Sequence, residues 1–423
     1  MSSADEPAAR LDADDLLRGF RGEFYLAPGT IYMDGNSLGL LSRPAERSLL
    51  SMLESWKTQG IDGWLGGDHP WYHLAETLGA MAAPFIGARA SETIITGSTS
   101  VNLHQILATF YRPQGTRTKI LIEEAAFPTD AYAVKSHLAL HALDPATHMV
   151  VVPSAGGTRL DEDAVIAALT DEVVFAVLPV VLYRTGQLLN TRRITQAARA
   201  HGVTTCFDAC HSFGALPHSW HDEGVDCGIF CTYKHSNGGP GAVAGLFVHE
   251  RHLGTAPGLP GWFASRKDRQ FDMSNDFTPA AEAGAYQIGT PHILSMAPLL
   301  GAFEQIGRAG IDRIRAKSLA LTQFMMDQID ADLAGLGFSV ATPRETGSRG
   351  AHVALRHAEA ARICKALKDD GVIPDFRPPD IVRLSPAPLY TSFREVADAI
   401  AILKRIATEQ RYLKYPNVRE LVA

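Results

Sequence analysis

The sequence predicts an α/β protein: a large domain with a mostly parallel sheet covered by helices on both faces, and a smaller C-terminal α/β domain. Short apolar runs rich in β-formers alternate with helix-like segments between residues 119 and 248. Strands that are apolar throughout are buried on both faces, which is typical of parallel sheets. Near residue 295 this alternation gives way to a long amphipathic helix, which predicts the start of a second unit.

Six strands and two intervening helices carry the prediction for the large domain. The strands are predicted at Lys119–Glu123, Met149–Pro153, Val173–Leu178, Thr204–Asp208, Cys227–Thr232 and Val243–Val248. The helices are predicted at Glu162–Leu169 and Arg193–Ala200, and Gly202 follows the second one as a stop signal. Ligands of such sheets bind at the carboxyl ends of the strands, so the residues that follow each strand are candidates for a binding site.

The C-terminal unit is predicted from a helix between Ile311 and Leu333 that has one apolar face. After it come strand Ala351–Leu355, helix Ala358–Lys368, strand Ile381–Leu384 and helix Ser392–Ala407, which begins with a capping box of Ser392 and Glu395. We therefore expect three segments: an N-terminal arm (1–45) that contributes to the small domain, a large domain (46–295) and a small domain (296–423).

Composition and charge exclude several classes of function. The chain has 423 residues, of which 46% are hydrophobic and 20% charged, as in ordinary soluble enzymes. A net charge of −7 argues against a nucleic-acid partner, which would require a basic face. No apolar run approaches the roughly 18 residues that span a bilayer. The acidic N-terminal stretch does not resemble a secretory signal, so a cytoplasmic location is expected.

Four cysteines have a spacing that superficially suggests zinc. Cys206, Cys210, Cys227 and Cys231 form a C-x3-C-x16-C-x3-C pattern. However, Cys206 and Cys227 lie within buried-strand patterns and not in tight knuckles. Reduced buried thiols are therefore the favoured interpretation, and no metal site is predicted.

Lys234 is the residue that points most directly to chemistry. It lies between an apolar strand and the glycine-rich stretch 237–241, while Asp208 ends a buried strand 26 residues earlier and His211 follows it. This spacing suits two adjacent strand ends joined by one crossover. An amine that forms a Schiff base with pyridoxal phosphate (PLP) needs such a rigid strand end, together with a carboxylate for the pyridine nitrogen. The alternatives are a solvated lysine and a structural salt bridge at Asp208.

Two further stretches fit a phosphorylated, flat cofactor. Thr96-Gly97-Ser98-Thr99-Ser100 joins a strand to a helix, where hydroxyls and free N–H groups can bind an anion. An ordinary Ser/Thr cap is the alternative. In Phe127-Pro128-Thr129-Asp130, the aromatic ring follows a strand and could stack on a cofactor ring, or it could simply pack in the core.

Taken together, these residues resemble PLP enzymes of the aspartate-aminotransferase fold (fold type I) and, more narrowly, the kynureninase family. The resemblance runs from about residue 30 to 410. Its motifs occur in the family order: Asp34-Gly35-Asn36-Ser37-Leu38-Gly39-Leu40, Phe127-Pro128-Thr129-Asp130, Tyr183-Arg184-Thr185-Gly186, Asp208-x-x-His211, Tyr233-Lys234, Gly261-Trp262-Phe263 and Arg383-x-Ser385-Pro386-x-Pro388-Leu389-Tyr390.

The resemblance implies a role for each matched position. Lys234 would form the Schiff base and move the Cα proton, with Tyr233 as a further proton donor. The implied cofactor-binding residues are Thr99, Ser100, Phe127, Thr129, Asp130, Asp208, His211, Tyr233, Lys234, Trp262 and Thr290. Trp262 and Thr290 would reach in from the neighbouring subunit of a homodimer. The implied substrate-binding residues are Arg383, as the clamp for the α-carboxylate, with Ser37, Asn36 and Trp64.

Simpler interpretations compete for three of these positions. Trp262 could be a core aromatic, Arg383 could form a surface ion pair, and Trp64 could belong to an aromatic cluster with Trp71 and Tyr72.

The implied reaction is hydrolytic cleavage of the Cβ–Cγ bond of L-kynurenine or a ring-substituted kynurenine, which gives an anthranilate-type acid and L-alanine. Several positions depart from the family pattern, and they leave the aryl group open. They are Pro179, Leu182, His235, Ser236, Ala264 and Ser265.

Other PLP chemistries remain as alternatives. A β-eliminating or desulfurase-like enzyme would need a cysteine in a mobile late loop, but Cys364 lies in a helix-like segment. An aminotransferase is possible on the fold alone. A PLP-binding regulator would need a DNA-binding module, for which the short acidic N-terminal stretch leaves no room.

Overall fold

A seven-stranded sheet organises the larger part of the chain, of which the computed structural model describes residues 5–419. The strands in chain order are β1 (Ile31–Tyr32), β2 (Thr93–Ile95), β3 (Lys119–Glu123), β4 (Met149–Val152), β5 (Ser154–Ala155), β6 (Arg159–Leu160), β7 (Val173–Pro179), β8 (Thr204–Asp208), β9 (Cys227–Phe230), β10 (Gly245–Val248), β11 (Ser339–Val340), β12 (Val353–Arg356), β13 (Val372–Ile373), β14 (Asp375–Arg377) and β15 (Ile381–Leu384).

Helices surround both sheets. The α-helices are α1 (Asp5–Asp14), α2 (Arg43–Gln59), α3 (Leu74–Ala82), α4 (Thr99–Phe110), α5 (Pro128–Leu140), α6 (Pro145–His148), α7 (Glu162–Ala168), α8 (Thr191–Ala200), α9 (Trp220–Glu223), α10 (Ile293–Ala309), α11 (Ile311–Asp332), α12 (Ala360–Asp369) and α13 (Phe393–Thr408). Short 3-10 turns connect several of them.

The large sheet has the order β2-β10-β9-β8-β7-β3-β4, and its pairs are parallel except for the two that involve β10. The predicted mostly parallel sheet is therefore confirmed. β10 runs antiparallel because the loop after β9 returns the chain directly, without the helical crossover that a parallel neighbour requires. β2 matches the strand end expected before Thr96, but its bounds were not predicted, since three residues are too few to produce a strand pattern.

Buried apolar side chains explain why these strands pair in the middle of the molecule. Every residue of β9 is buried, and the rings of Phe213 and Phe230 stack with centroids 4.0 Å apart. Gly245 faces Phe230 across β9 and β10, where a Cβ atom would overlap the aromatic ring. Such packing fixes the strand ends that carry the site.

The smaller sheet has the order β11-β12-β15-β14 and is antiparallel throughout. Helices α11, α12 and α13 contribute to a second buried cluster, and Ala8 and Met33 from the N-terminal segment belong to it. The predicted capping box is present, because Ser392 N donates to Glu395 Oε2 and Glu395 N donates to Ser392 Oγ. The domain boundaries at 45 and 295 stay a prediction.

Among the helices of residues 5–419, none combines the length and apolar character that a bilayer-spanning helix requires.

Candidate active site

Lys234 lies just beyond β9 in a tightly held loop. Gly39 N donates to the Tyr233 carbonyl at 2.8 Å, and Gly238 N donates to the Thr232 carbonyl at 2.8 Å. The lysine side chain is buried, and its Nζ lies 3.0 Å from Nε2 of His211. The glycine-rich stretch thus gives Lys234 a fixed position at the carboxyl edge of the sheet.

Asp208 ends β8, the strand next to β9 in the parallel part of the sheet. Its Oδ1 accepts a hydrogen bond from Cys210 N at 2.7 Å. Because β8 and β9 are parallel neighbours, Asp208 and Lys234 emerge at the same edge, as their spacing predicts. A buried carboxylate and a buried amine therefore border one cavity.

The start of α4 brings hydroxyl groups to this cavity. Ser98 is the N-cap of the helix, and its Oγ accepts from Val101 N. Thr99 and Ser100 occupy the first turn, and Ser100 Oγ lies 3.1 Å from Thr129 Oγ1. The predicted cap is present, and the anion site stays a prediction that free N–H groups and hydroxyls at this helix N-terminus would suit.

Phe127 lies at the mouth of the cavity and not in the core. Its side chain is 43% exposed, its ring makes a T-shaped contact with Tyr183 at 5.5 Å, and Lys234 Nζ lies 5.9 Å from its centroid. The half-exposed ring can therefore cover one face of a flat ligand.

Asp130 and Glu123 add two buried carboxyls to the floor of the cavity. Burial and the nearby carboxylates of Asp208 and Glu123 hold the pKa of Asp130 well above its usual range. Burial raises the pKa of Glu123 to about 7. Within the described part of the chain, Oδ1 of Asp130 has no hydrogen-bond partner.

His211 and Tyr233 are held in their neutral forms. Burial and the adjacent Lys234 hold the pKa of His211 far below its ordinary value. Burial also raises the pKa of the Tyr233 hydroxyl. The site therefore offers a neutral imidazole and a neutral phenol next to the lysine amine.

The structure brings most of the predicted cofactor residues together around Lys234. The cavity is lined by Thr99, Ser100, Glu123, Phe127, Thr129, Asp130, Pro179, Val181, Tyr183, Asp208, Cys210, His211, Tyr233 and Lys234. Sequence reasoning gave no role to Glu123, Val181 or Cys210. Glu123 ends β3, so the strand-end rule contained a signal for it.

Arg383 is fully buried, which excludes the surface ion pair considered as an alternative. It forms an ion pair with Asp375, donates to Ser37 Oγ at 3.0 Å and donates to the Tyr183 carbonyl at 2.5 Å. Burial lowers its pKa to about 10. Because Tyr183 also borders the cavity, the guanidinium lies beside the Lys234 site. Its contacts with Asp375, Ser37 and Tyr183, which belong to three separate segments, fix its orientation.

Asn36, next to Ser37, is completely buried. Neither atom of its side-chain amide has a hydrogen-bond partner among residues 5–419. A buried amide without partners is costly, so it indicates a ligand or solvent contact at this position.

Six predicted residues do not line the Lys234 cavity of the same chain: the substrate-binding candidates Arg383, Ser37 and Asn36 described above, and Trp64, Trp262 and Thr290. Trp64 packs against Trp71 at 5.7 Å and Phe263 at 6.1 Å, which agrees with the aromatic-cluster alternative. Trp262 is 45% exposed, and its Nε1 donates to the Gln270 carbonyl at 3.3 Å. Thr290 borders a separate hollow, together with Gly97 and Ser98.

Solved structures share this fold. The Escherichia coli cysteine desulfurase CsdA superposes with a TM-score of 0.77 at 17% identity, over 93% of this chain and 98% of that chain. The cystine C-S lyase C-DES, in complex with cysteine persulfide, superposes with a TM-score of 0.75 at 19% identity, over 89% of this chain and 98% of that chain. These superpositions confirm the predicted fold type I. Sequence identities of 17% and 19% support a shared fold and nothing further.

Sequence relatives are much closer. The kynureninase of Geobacillus thermodenitrificans is 54% identical over 426 residues, which cover the whole of both chains. The kynureninase of Bacillus anthracis is 53% identical over 418 residues, or 99% of this chain and 98% of its relative. Residues 314–403 also match the family model for the kynureninase C-terminal domain. With its full-length relatives and its lysine-centred cavity, the chain belongs to the kynureninase family.

Proposed function

We propose that the Lys234 cavity binds PLP and that the chain uses it to hydrolyse L-kynurenine or a ring-substituted kynurenine. Cleavage of the Cβ–Cγ bond would give an anthranilate-type acid and L-alanine. Membership of the kynureninase family makes the chain a PLP-dependent C–C bond hydrolase. The residue assignment rests on one observation. Lys234, His211 and Asp208 lie together at one edge of the sheet, and Arg383 lies beside them.

The residues around Lys234 fit the cofactor. The hydroxyls of Thr99 and Ser100 at the start of α4, and of Thr129 at the start of α5, suit a phosphate group, and Phe127 suits the face of an aromatic ring. Asp208, at the end of β8, suits the N–H of a pyridine ring. The unpartnered Oδ1 of Asp130, counted among residues 5–419, suits a further polar contact.

When bound, PLP supplies a carbonyl carbon for an amine and a ring that draws electrons away from Cα. Lys234 contributes the amine that holds the cofactor, and the same amine then moves the proton at the substrate Cα. His211 orients this amine through the 3.0 Å contact. The neutral Tyr233 hydroxyl can donate a proton to the carbon released by bond cleavage.

Arg383, Ser37 and Asn36 form the substrate side of the proposed site. The planar guanidinium can bind an α-carboxylate through two parallel hydrogen bonds. Ser37 Oγ holds the guanidinium in place, and the buried amide of Asn36 is available for a further contact. We assign these three residues to substrate binding.

We further propose a homodimer in which Trp262 and Thr290 reach the site of the partner, while Trp64 stays a candidate for the substrate side. Trp262 is 45% exposed, and all three side chains lie outside the cavity of their own chain. Exposed apolar residues on α2, Leu50 and Trp56, also support a protein contact. Light scattering of the purified protein tests the stoichiometry, and a monomer at micromolar concentration would contradict it.

The cytoplasmic location and a place in tryptophan catabolism are part of the same proposal. All five cysteines lie in the described range as buried thiols and not as disulfides, which fits a reducing compartment. Kynurenine hydrolysis is a degradative step for a tryptophan-derived amino acid.

The desulfurase-like alternative is not favoured. Cys364, the only late cysteine, is buried within α12, and its Sγ lies 3.8 Å from the Asp375 carbonyl oxygen. A thiol held inside a helix cannot travel to a substrate as a residue on a mobile loop would.

A substrate panel tests the proposal. The purified enzyme would be incubated with kynurenine, ring-substituted kynurenines, cysteine and aspartate, while aromatic acid, alanine, sulfide and ammonia are measured. We expect aromatic acid and alanine in equal amounts from at least one kynurenine, and none of either from Lys234→Ala. Lys404→Ala is the control, since Lys404 is a partly exposed lysine on α13 that pairs with Asp332 and does not line the Lys234 cavity. Sulfide or ammonia release without any kynurenine turnover would refute the proposal.

A further inference from the structure

Three neighbouring buried side chains next to one end of the small sheet, Asp34, Ser385 and His352, form what we call the polar row. Asp34 pairs with Ser385 through a parallel β-bridge. Val353 pairs with Leu384, so the antiparallel register places His352 opposite Ser385. Side chains two residues apart on a strand share a face, and the polar row therefore lies on the same face as Arg383.

Several side-chain atoms of the polar row lack hydrogen-bond partners within the described residues. Across residues 5–419, Oδ1 of Asp34, Oγ of Ser385 and both ring nitrogens of His352 are unpartnered. The three residues are only 9%, 1% and 0% exposed. Burying several unsatisfied polar atoms side by side costs stability, which is tolerated where a ligand or its water shell supplies the missing bonds.

The position of His352 connects the polar row to the reacting lysine. Its ring lies 5.9 Å from the ring of His211, which contacts Lys234. A Cβ atom built on Gly186 would lie 3.1 Å from His352 Nε2, so this edge of the imidazole faces the turn that begins at Tyr183. The Nδ1 edge therefore faces away from that turn.

The electrostatic environment keeps His352 neutral and disfavours the charged form of Asp34. Burial and the positive charge of Arg383 hold the pKa of His352 far below its ordinary value, so the imidazole has one donor and one acceptor. Burial and the neighbouring Asp375 raise the pKa of Asp34 to about 7. Neutral donors beside a fixed guanidinium suit a carboxylate, because they add hydrogen bonds without adding another buried charge.

We propose that the polar row positions the α-carboxylate end of the amino-acid substrate against Arg383, with His352 as its main hydrogen-bonding member. This inference rests on the proposed role of Arg383. The contact is made directly or through one bound water molecule. The ligand class is an α-amino carboxylate, whatever group lies beyond Cβ, so the polar row acts on binding and not on the choice of aryl ring.

Ligand binding separates this role from catalysis. The holoenzyme would be titrated with L-alanine and with isopropylamine, in which a methyl group replaces the carboxylate of alanine, while the cofactor absorbance is followed. For His352→Leu we expect the Kd of alanine to rise about tenfold or more, as for a lost hydrogen bond to a charged group. The Kd of isopropylamine should change by less than about twofold. His352→Gln, which keeps a donor and an acceptor, should restore most of the alanine affinity.

Two results would overturn the proposal: an unchanged alanine Kd in His352→Leu, or equal weakening of alanine and isopropylamine. His218→Leu is the matched control, because His218 also has an unpartnered Nε2 among the described residues and packs on Trp220 outside the site. If His352→Leu does not fold, Ser385→Ala tests the same row, and it should weaken alanine binding alone. Failure of wild-type enzyme to hydrolyse any kynurenine would instead count against the proposed function.

Discussion

Nζ of Lys234 and Nε2 of His211 lie 3.0 Å apart, and both side chains are buried. Because the pKa of His211 is held far below its ordinary value, its imidazole is neutral and can accept a hydrogen bond from the lysine nitrogen. Its Nδ1 then carries the proton, and this atom has no partner in the described part of the chain. His211 thus orients the amine and has a second polar atom available for a ligand.

His211→Phe should lower kcat/KM for a kynurenine substrate by about 100-fold, because the lysine amine loses its orienting partner. His211→Gln keeps an acceptor of similar reach and should lose less activity. Steady-state kinetics of both variants at equal cofactor content check this expectation. Equal loss in the two variants would show that the 3.0 Å hydrogen bond does not matter and that ring shape does.

Arg383→Lys should raise KM by about 10- to 100-fold with a smaller change in kcat, because lysine keeps the charge but loses the two-pronged hydrogen bond. The variant also keeps a cation beside Asp375, which is fully buried. Arg383→Ala would remove one of the two arginines that pair with that carboxylate, since Arg377 Nε also donates to it at 2.8 Å, and it should therefore lower stability. Thermal unfolding distinguishes the two effects, and an unchanged KM in Arg383→Lys would exclude the clamp.

The large sheet was predictable because its strands are apolar throughout and its helices carry stop signals. The strand ends at Asp208 and Glu123 fall where the sequence places them. The start and the direction of the strand predicted at Val243–Val248 could not be predicted correctly from the sequence. That strand begins at Gly245 and runs antiparallel, which depends on how the Lys234 loop folds back and not on local pattern.

Site residues were predictable where a motif coincides with a strand end. They were not predictable where the role of a residue depends on whether its side chain is buried. Lys234, Asp208 and Thr99 line one cavity, as expected. The sequence pattern left a surface ion pair open for Arg383, because charge alone does not reveal that Asp375 lies buried beside it. His352 gave no signal at all, since its importance comes from the pairing of β12 with β15.

Glu123→Gln should make the protein more stable at neutral pH. The pKa of Glu123 is raised from 4.5 to about 7 by burial, so its ionisation opposes folding. Its contribution to stability is complete below about pH 4.5 and is lost as the pH rises through about 7. The difference amounts to about 3 kcal/mol at most. Glutamine mimics the protonated acid and can still accept the hydrogen bond from Ala125 N.

Urea unfolding at pH 5 and pH 8 checks this prediction. The two proteins should be nearly equal at pH 5, and Glu123→Gln should be the more stable one at pH 8. Glu172→Gln is the control, because Glu172 is an exposed partner of Lys119 at the other end of β3. A variant that is less stable than wild type at pH 8 would mean that the buried carboxylate is stabilised by contacts that outweigh its burial.

Gly39→Ala should disturb the Lys234 loop without touching a ligand. A Cβ atom on Gly39 would overlap Oδ1 of Asn237 and the carbonyl oxygen of Lys234, so the loop must shift to accommodate it. We expect kcat/KM to fall by at least about tenfold and the free energy of unfolding to fall by about 1–3 kcal/mol. Gly19→Ala is the control, because a Cβ there meets nothing within 4 Å in the described structure. If Gly39→Ala loses stability but keeps full activity, the close approach of residues 34–40 to the loop serves folding alone and does not position the amine.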